Sequence, residues 1–198
     1  MGPDAANRPL RVLHVLGTFG TGGTEQGVAN LVNHADPGRV EAGICVLELR
    51  GVEEGLDRLR RRVFFRSLDK GFGNDPRVGF RLARALAEGG FDIVHSHGWP
   101  TYLETRLALA LRRRVVGLHG EHGTSFLDRR RRRWAFGAFS GRFRRFLFVS
   151  ERLREEFRRT TRIDPYRMVV IPTGVDFSRF GDGPNLRHTD PDFAPGLL

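Results

Sequence analysis

Lysine and cysteine are almost absent from this sequence: Lys70 is its one lysine and Cys45 its one cysteine. A single thiol excludes an internal disulfide. It lies in the apolar run AGICVLEL, where a buried structural thiol is expected, and such sparse cysteine fits a cytoplasmic setting. No run of about 18 apolar residues occurs, so no membrane-spanning helix is expected. The opening segment MGPDAANRPL lacks the basic-then-apolar pattern of a secretory signal. Residues 1–9 read as a disordered terminus, and the tail FSRFGDGPNLRHTDPDFAPGLL is rich in Pro, Gly and Asp without hydrophobic period.

What is abundant is arginine. The 198 residues carry a net charge of +10, and a GC-rich genome alone can produce such a bias. Its distribution says more. LRRRVV at 111–116, DRRRRRW at 128–134 and GRFRRF at 141–146 concentrate positive charge in the middle of the chain. Such a surface attracts phosphate on nucleic acid, anionic lipid or polyanionic glycan, and a solvated face is the alternative. No nucleic-acid-binding module is recognisable, so nucleic acid is not an expected partner.

Apolar residues make up 39% of the chain, enough for a core. Short apolar runs at 11–16, 39–49, 62–68, 91–97, 114–119, 145–150 and 168–172 read as strands. Helical spacing separates them: Val28, Leu31, Val32 and Ala35 recur on one face, as do Val78, Leu82, Ala85 and Leu86. Further helices are expected over 53–61, 100–112, 127–140 and 150–160, with Pro100 in a first turn and Ser150 as a cap. Strand and helix alternate throughout, which predicts an α/β, Rossmann-like parallel sheet with helices on both faces. The domain is expected over 10–172, followed by a hinge and linker tail over 173–198. Ligands of such sheets bind at the carboxyl ends of the strands.

The first turn, Gly17 to Gly27, is glycine-rich. Its backbone can approach a ligand while the following helix offers unpaired N–H groups, so phosphate is the natural guest. Tight packing alone is the alternative. The P-loop pattern fails because Gly23 stands where its lysine must be, and the dinucleotide fingerprint fails because Glu25 replaces its third glycine. Histidines are the second signal: His95 and His97 end the fourth strand, and His119 and His122 follow the fifth. His95 and His97 share a face. Either these rings face a sugar or phosphate, or they form a metal site with Glu121 or Asp92. His14, inside the first strand, reads as a satisfied core histidine. Trp99, Tyr102, Phe126 and Trp134 could stack on sugars or fill the core.

Five blocks, GGTEQGVANLV, DIVHSH, HGEHG, FVSERLREEF and VVIPTGVDFSRF, occur in an order and spacing that resemble the N-terminal half of a glycosyltransferase family 4 enzyme of the GT-B fold. The Arg-rich helix after HGEHG is similar to the sugar transferases of bacterial exopolysaccharide clusters. The resemblance implies a two-domain enzyme whose N-terminal domain binds the acceptor. The second domain binds a nucleotide-sugar donor through a Glu-x7-Glu pair, and that C-terminal half is absent here. It implies retention of configuration and no bound metal or other cofactor, the nucleotide-sugar being a substrate. It implies a donor-diphosphate or acceptor site at Gly22, Gly23, Thr24, Glu25, His97 and Trp99. It implies a catalytic histidine, His122, with His119 as the second choice, and a hinge at Gly174 and Asp176, where Thr173 replaces the usual asparagine.

Several expectations follow. The isolated chain should have little transferase activity, and a separate chain could carry the donor domain. The acceptor should be a glycan or a lipid-linked sugar. Arginines interleaved with Trp134, Phe136, Phe139 and Phe143 suit a peripheral contact with an anionic inner membrane face. The alternatives are a non-catalytic binding or pairing module, and a metal-dependent hydrolase built on His95, His97, His119 and His122.

Overall fold

The computed structural model describes residues 8–71, 75–123 and 129–174. It is built on seven strands: β1 Leu10–Leu16, β2 Val40–Val46, β3 Phe64–Ser67, β4 Ile93–His97, β5 Val116–Glu121, β6 Phe143–Phe148 and β7 Met168–Val170. All pair in parallel in the order β3-β2-β1-β4-β5-β6-β7. Six helices connect them: α1 Gly23–His34, α2 Val52–Leu56, α3 Arg77–Glu88, α4 Trp99–Leu111, α5 Arg130–Phe139 and α6 Glu151–Thr160. The Rossmann-like α/β architecture expected from the alternation is therefore present. Asp176 and Phe126 lie outside the described residues, as do residues 1–7 and the tail from 175.

The strand alternation divides the core in two. Leu13, Val15, Val94, Phe146 and Phe148 point to one face, where Leu82, Tyr102, Phe136 and Phe157 from α3, α4, α5 and α6 cover them. Leu16, Ile44 and Val46 belong to the other cluster, covered by Val28 and Val32 of α1 and by Val52 of α2. Both faces carry helices, but unevenly. Among the described residues, no helix joins the second cluster over β4 to β7, and this leaves the flank of α1 open.

Local chemistry explains the element ends. Ser150 caps α6 by accepting from the Leu153 N–H at 3.2 Å, as its position implied. Gly98 precedes α4 with φ 69, a conformation that disfavours side chains, and Pro100 follows in the first turn. Helix α2 ends at Leu56, well before the expected 61. The Arg60 N–H instead donates to the Asn33 side chain, and the Arg61 guanidinium donates to the Asn33 and Ala35 carbonyls. Strand β6 starts at Phe143, earlier than the expected 145, because a 3-10 turn at Ser140–Arg142 delivers the chain directly from α5. Leu31, expected on the buried face of α1, is 56% exposed.

The two rare residues are both withdrawn from solvent. Cys45 is fully buried in β2, and burial pushes its thiol pKa up to about 12. Lys70 pairs with Glu104 of α4 at 2.5 Å, with side-chain exposures of 13% and 10%.

Candidate functional site

Strand order reverses direction between β1 and β4, and such a switch point opens a crevice at the carboxyl ends of the strands. The parallel register puts His14 of β1 opposite His95 of β4. His97 lies two residues further along β4, on the same face, and the His95 and His97 rings are 4.1 Å apart between centroids. His14 Nδ1 lies 3.1 Å from His97 Nε2, and His97 Nδ1 lies 3.1 Å from His122 Nε2, just beyond β5. Four imidazoles thus form one cluster. They line a cavity of about 680 Å³ that runs beside α1, past Asn30, to Thr173.

His14 is buried and hydrogen-bonded to His97, as expected of a satisfied core histidine, and it also belongs to this cluster. Only the β1–β4 pairing brings it there, and a single strand's period does not disclose its neighbour. The departure is His119. Its register partner is Ser96, so it points to the opposite face from His95 and His97. It is completely buried among Tyr102, Phe136, Phe143 and Phe146. Its Nδ1 lies 2.7 Å from Ser96 Oγ and its Nε2 2.7 Å from Glu121 Oε1. His119 therefore does not reach the cavity. Neither of the carboxylates considered as metal partners pairs with the four-ring cluster, although Glu121 borders the cavity. Glu121 is bound to His119, and Asp92, at the amino end of β4, is paired with Arg8 and with the Arg11 N–H.

Burial dominates the electrostatics of the cluster. It pushes the His14 pKa down to about 4 and holds His95 and His97 well below the ordinary imidazole value, with the neighbouring rings adding to the effect. His122 is lowered by burial too, but the Glu25 carboxylate opposes part of that shift. Behind the sheet, burial pushes His119 down to about 3 and raises Glu121 well above the usual carboxylate range. Burial thus favours the uncharged form of both members of the pair.

The glycine-rich turn closes the carboxyl end. Helix α1 starts at Gly23 with Gly22 as its cap. Space around Gly23 is open, whereas a Cβ on Gly22 would meet the Glu25 carboxylate. Glu25 folds back to accept from the Thr18 hydroxyl at 3.1 Å. Thr24 is half-buried in the same turn. Gly27 faces the Thr173 methyl, so α1 also contacts the segment after β7, and Gly174 is exposed, with no described atom within 4 Å of where its Cβ would lie. Trp99 is not brought into the cavity. It packs on Tyr102 and Phe136, with the Arg132 guanidinium 5.7 Å above its ring. Tyr102 and Phe136 are core residues, and Trp134 is 65% exposed.

The same half-fold occurs in solved proteins. A glycosyltransferase from Rickettsia africae ESF-5 superposes with a TM-score of 0.66 at 17% identity, over 87% of this chain and 45% of its own. Anabaena HepE, solved with UDP and glucose, gives 0.69 at 13% identity, over 85% and 46%. The UDP-GlcNAc 2-epimerase of Neisseria meningitidis, solved with UDP-GlcNAc, gives 0.58 at 17% identity, over 81% and 46%. The chain thus spans less than half the length of these structures, and at such identities they show the fold alone. No curated protein matches the sequence. The sequence model of Glycosyltransferase Family 4, however, matches residues 21–179, from the glycine-rich turn through the segment after β7. A match over that much of the chain means that this protein belongs to Glycosyltransferase Family 4.

Proposed function

We propose that the chain forms the acceptor-side half of a retaining hexosyltransferase, which moves a sugar from a nucleoside-diphosphate donor to a glycan or lipid-linked acceptor. The observation that carries this reading is that His122 lines the switch-point cavity and feels the carboxylate of Glu25 in the first turn of α1. Breaking the bond between sugar and diphosphate develops negative charge on the leaving phosphate. The free N–H groups at the start of α1, approached past Gly22, Gly23 and Thr24, stabilise such charge. His122 stands beside the transferred sugar, and His97 orients its ring through the 3.1 Å contact. Glu25 holds the turn through Thr18, and Gly174 begins the hinge. The nucleotide-sugar is a substrate here, not a cofactor.

One wall does not hold a donor. Base and ribose recognition belong to a second domain, carried either on a longer form of this chain or on a partner chain, and the 198 residues alone are inactive. The enzyme works at the cytoplasmic membrane face, in polysaccharide synthesis. The exposed Trp134 and Phe139 beside Arg129–Arg133 support a peripheral contact with anionic lipid.

The test is donor turnover by the protein isolated from its own cell, whose intact mass also tells whether the donor domain is on the same chain. Radiolabelled UDP- and GDP-sugars are supplied with and without glycan and lipid-linked acceptors. Acceptor-dependent transfer that His122→Ala reduces about 100-fold or more supports the reading. Conversion of the sugar without acceptor, as an epimerase would give, refutes it.

A further inference from the structure

The histidine cluster contains more imidazole than the proposed transfer uses. His122 is the ring at the rim. His14, His95 and His97 lie behind it on the cavity floor, and their ligand-capable nitrogens all fall within 4.8 Å of one another. A zinc ion with bonds of about 2.0–2.1 Å in tetrahedral geometry sets neighbouring ligand nitrogens about 3.3 Å apart. The His14–His97 separation of 3.1 Å is close to that value. His95 must move closer by no more than about 1.5 Å to match it.

One further observation points to a missing ligand, and the backbone beside it offers a test. Nε2 of His95 is buried with no hydrogen-bond partner among the described residues, and a stranded polar atom of this kind is costly. Next to it the backbone leaves a gap: a Cβ on Gly120 of β5 would lie 2.9 Å from His95 Nε2, 3.4 Å from His97 Nδ1 and 3.6 Å from His122 Nε2. A side chain at 120 would fill the space between these rings.

We propose that His14, His95 and His97 bind one divalent ion of the zinc class on the floor of the cavity. Three neutral imidazoles suit zinc, cobalt(II) or nickel better than magnesium or calcium, which prefer oxygen. Burial holds all three rings uncharged, the form a metal needs. The second nitrogen of His97 is directed at His122 Nε2, the outer hydrogen bond that ligating histidines ordinarily make. The ion would thus fix the orientation of His122 through His97. Three protein ligands leave a fourth position for water or a substrate oxygen from the cavity.

The experiment uses the purified chain, stripped with a chelator, dialysed and titrated with zinc chloride by calorimetry. Cobalt(II) absorption reports the coordination geometry. One zinc per chain and the intense visible bands of tetrahedral cobalt are expected. His95→Ala should weaken zinc binding by about 100-fold or more, Gly120→Ala by about 10-fold, and His34→Ala, at the far end of α1, should leave it unchanged. Circular dichroism identifies any variant that fails to fold, and His95→Gln then replaces His95→Ala. Absence of stoichiometric zinc in the wild type would overturn the proposal. So would binding that survives substitution of His95, or that His34→Ala removes equally. None of these readings depends on sugar transfer, so the metal site and the proposed function can fail separately.

Discussion

Gly22 and Glu25 are sterically coupled: a Cβ on the first would lie 2.3 Å from Oε2 of the second. The backbone at Gly22, with φ −64 and ψ 160, is open to any residue. Among the described residues, the obstacle to a side chain is therefore Glu25 alone. Gly22→Ser tests this. Serine is a good cap, but its Cβ displaces Glu25 from Thr18, so the single variant should lose about 1 kcal/mol. In a Glu25→Ala background the same substitution should be neutral or stabilising, a change of sign that denaturant unfolding of all four proteins would reveal. Transfer should remain impaired in the double variant if the turn approaches the donor phosphates.

The two histidines of the HGEHG block should behave in opposite ways. His119 satisfies Ser96 and Glu121 in a dry aromatic setting. His119→Phe leaves both unpaired and should cost roughly 2–4 kcal/mol of stability. His122→Ala opens onto the cavity and should change stability by less than about 1 kcal/mol while removing transfer. Thermal denaturation beside an activity assay distinguishes them. A stable His119→Phe would contradict the buried network.

Glu121 predicts an unusual pH dependence. Unfolded, a glutamate loses its proton near 4.3 and a histidine near 6.5. Folded, Glu121 keeps its proton to well above the first value, and His119 stays neutral down to about 3. Between about 4.3 and 6.5 the two differences cancel, because each state holds one proton. At any pH above about 6.5 where folded Glu121 still holds its proton, the folded chain holds one more, so stability falls as pH rises, by about 1.4 kcal/mol per unit. His14, His95 and His97 are also neutral in the fold, so stability falls as pH drops below about 6.5. Glu121→Gln should flatten the alkaline limb and steepen the acid limb, because it leaves the His119 difference uncancelled, as urea unfolding at about pH 5.5, about pH 7 and about pH 8.5 would show.

Membrane contact should reside in the outer face of α5 rather than in its aromatics as a group. Phe136 and Phe143 are core residues, whereas Trp134 and Phe139 are exposed and pack edge to face. Trp134→Ser/Phe139→Ser should reduce co-sedimentation with anionic vesicles several-fold without loss of stability. Sedimentation indifferent to lipid charge would refute the contact.

The order of strands and helices was legible because burial imposes periods of 2.0 and 3.6 on the sequence, and those periods survive at Val28 and Val32 or at Val78 and Leu82. The pairing of His95 with His97 on one face was legible for the same reason. What period cannot give is the neighbour. His14 joins the cluster, and His119 leaves it, only because β4 lies between β1 and β5 in a fixed register. Tertiary hydrogen bonds are equally silent in sequence, and they end α2 early at Leu56. Leu31 kept its helical phase but faces the open flank of α1, where the described fold supplies no helix to cover it.

The withdrawal of Lys70 and Cys45 from solvent has a practical consequence for conjugation chemistry. The one side-chain amine is tied to a carboxylate, and the one thiol is buried with its pKa raised to about 12. Amine-reactive dyes at mildly alkaline pH should therefore select the α-amino group, and maleimides should find no ready target in the native fold. A cysteine placed at Thr21, exposed on the rim of the glycine turn, would carry a fluorophore alone, with no background to subtract in a ligand titration.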